Sequence, residues 1–582
     1  MENNMTQKQA LLELLKRIKK YWHLLIGSLL FALVYVVLSL YVPKLIGLGT
    51  DKIVSKGNVD FQGLERIAVQ IVVIAAIAGI AQWIMGLLNN RITYHVIKDI
   101  RQESFERIQK LPLAYLDTHS TGSLVSSIIA DVDQLADGLL MGFSNLFTGV
   151  VTIVLTLVFM LQINWKIALV VICITPVSFF VAGFIAKRTY SMFRKQSEIR
   201  GSQTAFIDEM ISGQKVVKAF GQEEKAVQDF DEINDELAKY YLKGTFFSSI
   251  TNPSTRFVSN LAYIVIAISG IMIIKNTADA HFSIGNLTTF LVYTNVFTRP
   301  FNEITSIISE IQTAIASAKR IFNYLNEKEE PQNSEIIPLD KIEGRVEFKN
   351  VYFSYVNNKK FIEKFNLIAN PKQNIAIVGK TGAGKTTIVN LLMKFYEINS
   401  GEITIDGVNI QNISKEFLRK NIGIVLQDTK LFTGTIKENI SYGSPTATDE
   451  EVKQAAQMAY AHEFIERLPD GYNTYIKNQN MLSPGEIQLI NIARVMLTKP
   501  PILILDEATS NIDIVTENKI SNAFNKLIKN STSFIIAHRL STIKNADKII
   551  FIENGNIIEE GTHEELLAKK GKYYNMYESN IC

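Results

Sequence analysis

The sequence predicts an all-α domain of six membrane-crossing helices followed by an α/β domain of the P-loop type with a helical subdomain. Three observations predict it. Long uncharged apolar runs crowd the first half of the chain, while the second half has an ordinary polar and apolar mixture. Lys and Arg gather in alternate segments between those runs. In the second half, a glycine-rich loop stands between a strand-like and a helix-like apolar stretch.

At 582 residues the chain is long enough for two or more domains. Its 60 Lys and Arg nearly balance 57 Asp and Glu, which argues against a nucleic-acid partner. Two cysteines, Cys173 and Cys582, make neither a disulfide framework nor a zinc site. Cys173 reads as a small apolar filler. The N-terminus opens on a polar, helix-compatible stretch, and its first apolar run is too long for a cleavable signal.

A helix needs about 20 apolar residues to cross a bilayer. Runs at 21–43, 67–90, 138–164, 167–186 and 257–274 meet that length or approach it, and the more polar 281–298 is the weakest. A soluble protein would need a very large core to bury so many. Lys8, Lys16, Arg17, Lys19 and Lys20 precede the first run. Arg91, Lys98, Arg101, Arg107 and Lys110 follow the second, and Lys187, Arg188, Arg194 and Lys195 follow the fourth. Positive charge marks the cytoplasmic side, so the N-terminus and the C-terminal half are expected in the cytosol. The inner segments 91–137 and 187–245 are rich in helix formers and predict helices that continue below the membrane. Each has a break, at Leu111-Pro112 through Gly122 and at Ile211-Ser212-Gly213-Gln214, where a short helix could be presented.

The expected division is 1–325 for the membrane domain, 326–345 for a charged, Pro-containing linker and 346–582 for the second domain. Asn374 to Val378 reads as a buried strand. It runs into Gly379-Lys380-Thr381-Gly382-Ala383-Gly384-Lys385-Thr386-Thr387, which fits G-x-x-x-x-G-K-[ST] in its strand–loop–helix setting. Backbone N–H groups there can close round phosphate oxygens, and the helix N-terminus adds positive potential. Lys385 is expected to reach the β- and γ-phosphates of ATP, and Thr386 to hold Mg²⁺. A second apolar strand, Pro501 to Leu505, ends in Asp506-Glu507. Asp506 suits the Mg²⁺ shell, and Glu507 stands where a carboxylate polarises an attacking water. Taken alone, such a pair is more often a helix cap or a solvated turn.

With Leu482-Ser483-Pro484-Gly485-Glu486 between those motifs, the chain resembles the ATP-binding cassette transporters, specifically exporters whose membrane half is fused ahead of the α/β P-loop ATPase domain. The resemblance implies that Tyr355 stacks on adenine. It implies that Gln427 senses Mg²⁺, that Ser510-Asn511-Ile512-Asp513 crosses a dimer, and that His538 contacts the γ-phosphate. It also implies two ATP molecules sandwiched between two such domains, each held by one chain's phosphate loop and by Ser483 and Gly485 of the other's signature segment. The helical breaks resemble coupling helices.

Two positions depart from the family signature Leu-Ser-Gly-Gly-Gln. Pro484 offers no N–H but fits a first helical turn. Glu486 is expected to bring a carboxylate toward the γ-phosphate, where like charge costs binding. The preceding Ile476-Lys477-Asn478-Gln479-Asn480 lacks the acidic residue common in relatives. Glu507 and His538 are both present, so the chain's own phosphate-loop half looks competent while the signature it lends does not. This resembles one subunit of a heterodimeric exporter with one degenerate ATP site; a homodimer tolerating a variant signature is the alternative. The resemblance implies export of an amphipathic drug or lipid across the cytoplasmic membrane, in contact with membrane lipid. The competing function is an ATP-gated channel or regulator that does not pump.

Overall fold

The computed structural model describes residues 5–55, 58–276, 282–330, 341–355, 361–426, 430–478, 481–506, 512–537 and 543–579. The chain divides into two compact units. One comprises Met1–Gln109 and Thr121–Glu327, and the other Lys110–Ser120 and Lys328–Cys582.

The first unit is helical, apart from a small two-stranded pairing of Ile53–Ser55 with Asn58–Val59. A short helix, Gln7–Lys19, is started by a capping box between Thr6 and Gln9. Long helices follow at Trp22–Asp51, Phe61–Lys110, Thr121–Ile163, Trp165–Ser212, Glu223–Asn276 and Ile284–Leu325. Among the described residues, four helical stretches are long and apolar enough to cross a membrane: Trp22–Asp51, Phe61–Lys110, Thr121–Ile163 and Arg256–Lys275; Trp165–Ile174 is a shorter apolar stretch. The protein buries only 17% to 22% of each of those four apolar windows. Continuous apolar surface of that extent requires an apolar surrounding. The expected run at 281–298 falls on the helix Ile284–Leu325, with His281 outside the described residues.

The helices extend further than their apolar runs, through Pro43, Pro253 and Pro300. Near Pro43 the backbone is supported from the helix Ile284–Leu325, where Tyr293 donates to the Leu40 carbonyl at 2.6 Å and Thr289 to the Pro43 carbonyl at 3.3 Å. Backbone exposed by a helix-breaking residue is commonly re-satisfied this way inside a bilayer. The Thr121–Ile163 stretch carries two π turns, Ser127–Asp131 and Gly142–Phe147. The first places Asp131 against Arg320 Nε (2.9 Å) and Ser317 Oγ (3.1 Å). The second places Ser144 beside Asn89, which also accepts from Ser28, so polar groups on three helices satisfy one another. As expected, the inner segments break at Pro112, which precedes the helix Leu113–Thr118, and at Gly213, which precedes Gln214–Ala219.

The second unit holds a six-stranded sheet in the spatial order Asn556–Gly561, Lys548–Glu553, Asn374–Val378, Thr532–Ile536, Ile502–Asp506 and Ile422–Val425. All neighbours are parallel except the first pair. The central strands are buried on both faces, which is why 375–378, 502–505 and 534–536 run continuously apolar. Alternation decides which face each side chain covers. Ile375, Ile377, Ile502 and Ile504 join the core beneath the antiparallel sheet formed by Ile362–Ala369, Val346–Phe353, Ser400–Ile405 and Val408–Asn409. Ala376, Val378, Leu503 and Leu505 join the opposite core with the helices Asp449–Met458, Pro484–Thr498 and Ile514–Ile528. Each fully buried Ile or Leu contributes about 1.5–3 kcal/mol, so a polar change in a central strand would destabilise both layers. The helical subdomain is pinned from inside. Buried Asn439 bonds the backbone of Phe432 and Thr435, and Arg494 Nε donates to the Asn439 carbonyl at 2.8 Å.

Candidate functional site

Ligands in parallel sheets bind beyond the carboxyl ends of the strands, at a switch in strand order. Here the switch lies at Asn374–Val378, between Lys548–Glu553 on one side and Thr532–Ile536 on the other. The chain leaves that strand into the loop 379–384 and enters the helix Lys385–Leu392. Gly384 caps this helix at φ +107°, a left-handed conformation costly for any residue with a side chain. The loop is tied down by the Ala383 N–H to the Lys380 carbonyl (3.1 Å) and by the Gly555 N–H to the Ala383 carbonyl (2.8 Å). The result is a fixed cradle of N–H groups at a helix N-terminus.

Lys385 is buried, and its ammonium donates to the Gly379 carbonyl at 2.7 Å and to the Lys380 carbonyl at 3.2 Å. It therefore spans the cradle. Burial lowers its pKa, and the attraction of nearby Asp506 opposes that shift. Thr386 is exposed at the helix start, whereas Thr387 is buried and its hydroxyl pairs with the Tyr355 hydroxyl at 2.8 Å. Asp506 ends its strand at the same sheet edge. An exposed hydroxyl and a carboxylate beside a phosphate cradle fit Mg²⁺, which takes one or two protein oxygens and completes its shell with phosphates and water. Among the described residues, no cluster of three or more His, Cys, Asp or Glu suited to a metal is found.

Tyr355 follows the strand Val346–Phe353 and is 47% exposed. Phe353, Phe361 and Tyr396 pack on it edge to face, at centroid distances of 4.8, 5.7 and 5.1 Å. The structure thus brings together Tyr355, residues 379–387 and Asp506. Gln427, Glu507 and His538, together with Ser510 and Asn511, lie outside the described residues.

Ser483 and Gly485 lie at the start of a different helix, Pro484–Thr498, and both departures from the usual signature serve that helix. Pro484 occupies its first turn. The Glu486 carboxylate turns back and accepts from both the Ser483 N–H and the Ser483 hydroxyl at 2.8 Å, while the Ser483 hydroxyl accepts from the Glu486 N–H at 3.3 Å. This is a complete capping box. The Glu486 carboxylate is thus bonded to Ser483, whose hydroxyl is the one the signature would offer to a phosphate. Gly485 is buried, and a Cβ there would sit 2.4 Å from Thr516 Cγ2.

Sequence reasoning missed Tyr396, Asp117 and the cluster round Glu330. Glu330 carries two Arg419 contacts, at 2.6 and 3.2 Å, and one from Lys415 at 3.1 Å. No local motif signals any of them, because the partners lie far apart in sequence.

Comparison with known proteins agrees with this geometry. The family described as ABC transporter transmembrane region matches residues 25–301, and that described as ABC transporter matches residues 362–510. A fatty acid ABC transporter ATP-binding/permease protein of Mycobacterium bovis is 40% identical over 89% of this chain and 82% of its own length. An ATP-dependent lipid A-core flippase of Syntrophus aciditrophicus is 33% identical over 88% of this chain and 85% of its own. The structure of a bacterial Atm1-family ABC exporter with ATP bound superposes with a TM-score of 0.78 at 25% identity, covering 96% of this chain and 98% of that one.

Proposed function

Since this chain belongs to the ABC transporters, with transmembrane and ATP-hydrolysing regions fused in one polypeptide, we propose that it exports an amphipathic lipid-like molecule across the cytoplasmic membrane as half of a heterodimer. ATP hydrolysis coupled to transport follows from the family itself. Six crossings place the N-terminus and the 346–582 domain in the cytosol, as the distribution of Lys and Arg requires. A lipid-like substrate is supported by relatives named for fatty acid and for lipid A-core, and by spans with no acid pair suited to a cation.

In this reading the N–H groups of 379–384 and Lys385 bind and orient the triphosphate, and Tyr355 carries the adenine. Thr386, Asp506 and Gln427 would hold Mg²⁺, which when bound would supply positive charge against that developing on the phosphates. Glu507 positions and deprotonates the attacking water, and His538 holds the γ-phosphate. Ser483 and Gly485 complete the partner's site, where a second half-transporter presents its own phosphate loop.

One observation carries the asymmetry. The Ser483 hydroxyl donates to Glu486, which supports a signature less able to donate to a phosphate. The partner is expected to supply an intact signature and to lack the catalytic carboxylate. Purification of the tagged chain from its native membrane tests this. A second ABC subunit in equal amount, with Glu507→Gln abolishing hydrolysis by the pair, is the expected result. Self-pairs with full ATPase activity would overturn the heterodimer.

A further inference from the structure

The segment 110–120 follows directly from the apolar helix Phe61–Lys110, yet it belongs to the same compact unit as the ATPase domain. Two contacts hold it there. At its start, the Glu330 N–H donates to the Lys110 carbonyl at 3.0 Å, and the Glu330 carboxylate is clamped by Arg419 and Lys415. Near its end, the Tyr396 hydroxyl donates to Asp117 Oδ2 at 2.5 Å. The two anchors meet in residues 394–396. Arg419 donates to the Lys394 carbonyl at 3.2 Å, and its guanidinium lies 5.0 Å from the Phe395 ring.

Tyr396 also faces the nucleotide site. Its ring stands edge-on to Tyr355, with 5.1 Å between centroids and 84° between planes, and edge-on to Phe353 at 5.8 Å. Rings packed this way cannot reorient independently in a close-packed layer. A base stacked on the exposed Tyr355 ring would fix that ring, and through it the position of the Tyr396 hydroxyl. Hydrogen bonds to a charged acceptor are short, directional and stronger than neutral ones.

We propose that Tyr396 is a positioning residue that reports adenine occupancy to the segment 110–120, its ring reading Tyr355 and its hydroxyl holding Asp117. This rests on the assignment of Tyr355 as the adenine platform. It predicts that the base, and not the triphosphate alone, stiffens the helix Leu113–Thr118.

Hydrogen–deuterium exchange on the full-length protein in lipid nanodiscs tests it, with Mg²⁺·AMP-PNP compared against Mg²⁺·tripolyphosphate. Both ligands are expected to slow exchange at 379–390, but only AMP-PNP at 113–119. Tyr396→Phe keeps the ring and removes the hydroxyl. It is expected to retain AMP-PNP protection at 379–390, which also certifies its fold, and to lose about tenfold of the slowing at 113–119. Equal slowing at 113–119 by tripolyphosphate, or an undiminished response in Tyr396→Phe, would overturn the relay. AMP-PNP affinity of Tyr355→Ala separates the two ideas. Unchanged affinity sinks the adenine platform, whereas weakened affinity alongside an undiminished Tyr396→Phe response sinks the relay alone.

Discussion

Replacing Glu486 by Gln removes one negative charge and keeps a side chain able to close the same capping box. The structure sets two opposing effects. The carboxylate accepts two bonds from Ser483 at 2.8 Å and stands at a helix N-terminus, where a negative charge contributes about 0.3–1 kcal/mol. Its loss should lower the melting temperature by roughly 2 °C, given the 2–4 °C per kcal/mol typical of domains of this size. The gain is at the phosphate. A phosphate reached by the Ser483 hydroxyl lies on the order of 5 Å from the carboxylate, and a unit pair at that distance repels by about 0.8 kcal/mol in water and about 3 kcal/mol at an effective dielectric of 20. Ser483 is exposed, so the lower end applies. About 1 kcal/mol corresponds to a roughly fivefold lower apparent KM for ATP at the site this signature completes. ATPase titrations on the purified assembly, alongside a thermal melt, read both effects. The expected melting shift with an unaltered KM would show that the charge does not reach the phosphate, and the reasoning would be wrong.

Other outcomes follow from the same contacts. Gly485→Ala places a methyl 2.4 Å from Thr516 Cγ2, and overpacking of this kind costs about 1–3 kcal/mol; a melt should fall by several degrees, and no change would mean the two helices separate freely. Asn439→Ala leaves the Phe432 N–H and two carbonyls without their partner, a loss of about 2–3 kcal/mol visible in urea unfolding of the helical subdomain. Burial raises the Glu330 pKa, but Arg419 and Lys415 outweigh it and hold the carboxyl below its ordinary value of 4.5. Its stabilisation is therefore complete above that value and is lost as pH falls through the lower folded one, so the stability gap between wild type and Glu330→Gln should close in acid. A gap independent of pH between 3 and 7 would rule this out.

What the sequence disclosed was whatever is contiguous in it. The phosphate loop needs a strand, a turn and a helix in unbroken order, and 374–392 spells them out. Apolar length and the placement of Lys and Arg likewise survive in one dimension. The helix breaks at Pro112 and Gly213 were legible because each residue acts on its own backbone. Contacts between distant residues were not. Tyr396 and Asp117 are 279 positions apart, and nothing near either one marks the other. Continuity through Pro43 depends on hydroxyls from a helix some 250 residues later. Glu486 was legible as a foreign charge, but the capping box it closes with Ser483 is a matter of side-chain geometry that the residue type alone does not give.

The account depends most on Lys385 binding the triphosphate that powers movement of substrate. Inside-out proteoliposomes containing the native assembly, loaded from outside with a fluorescent amphipathic lipid and Mg²⁺·ATP, test it directly. Wild type should accumulate the lipid only with ATP, and Lys385→Ala, with its melting temperature retained, should not accumulate it at all. Accumulation that needs no ATP, or that Lys385→Ala sustains at the wild-type rate, would contradict it.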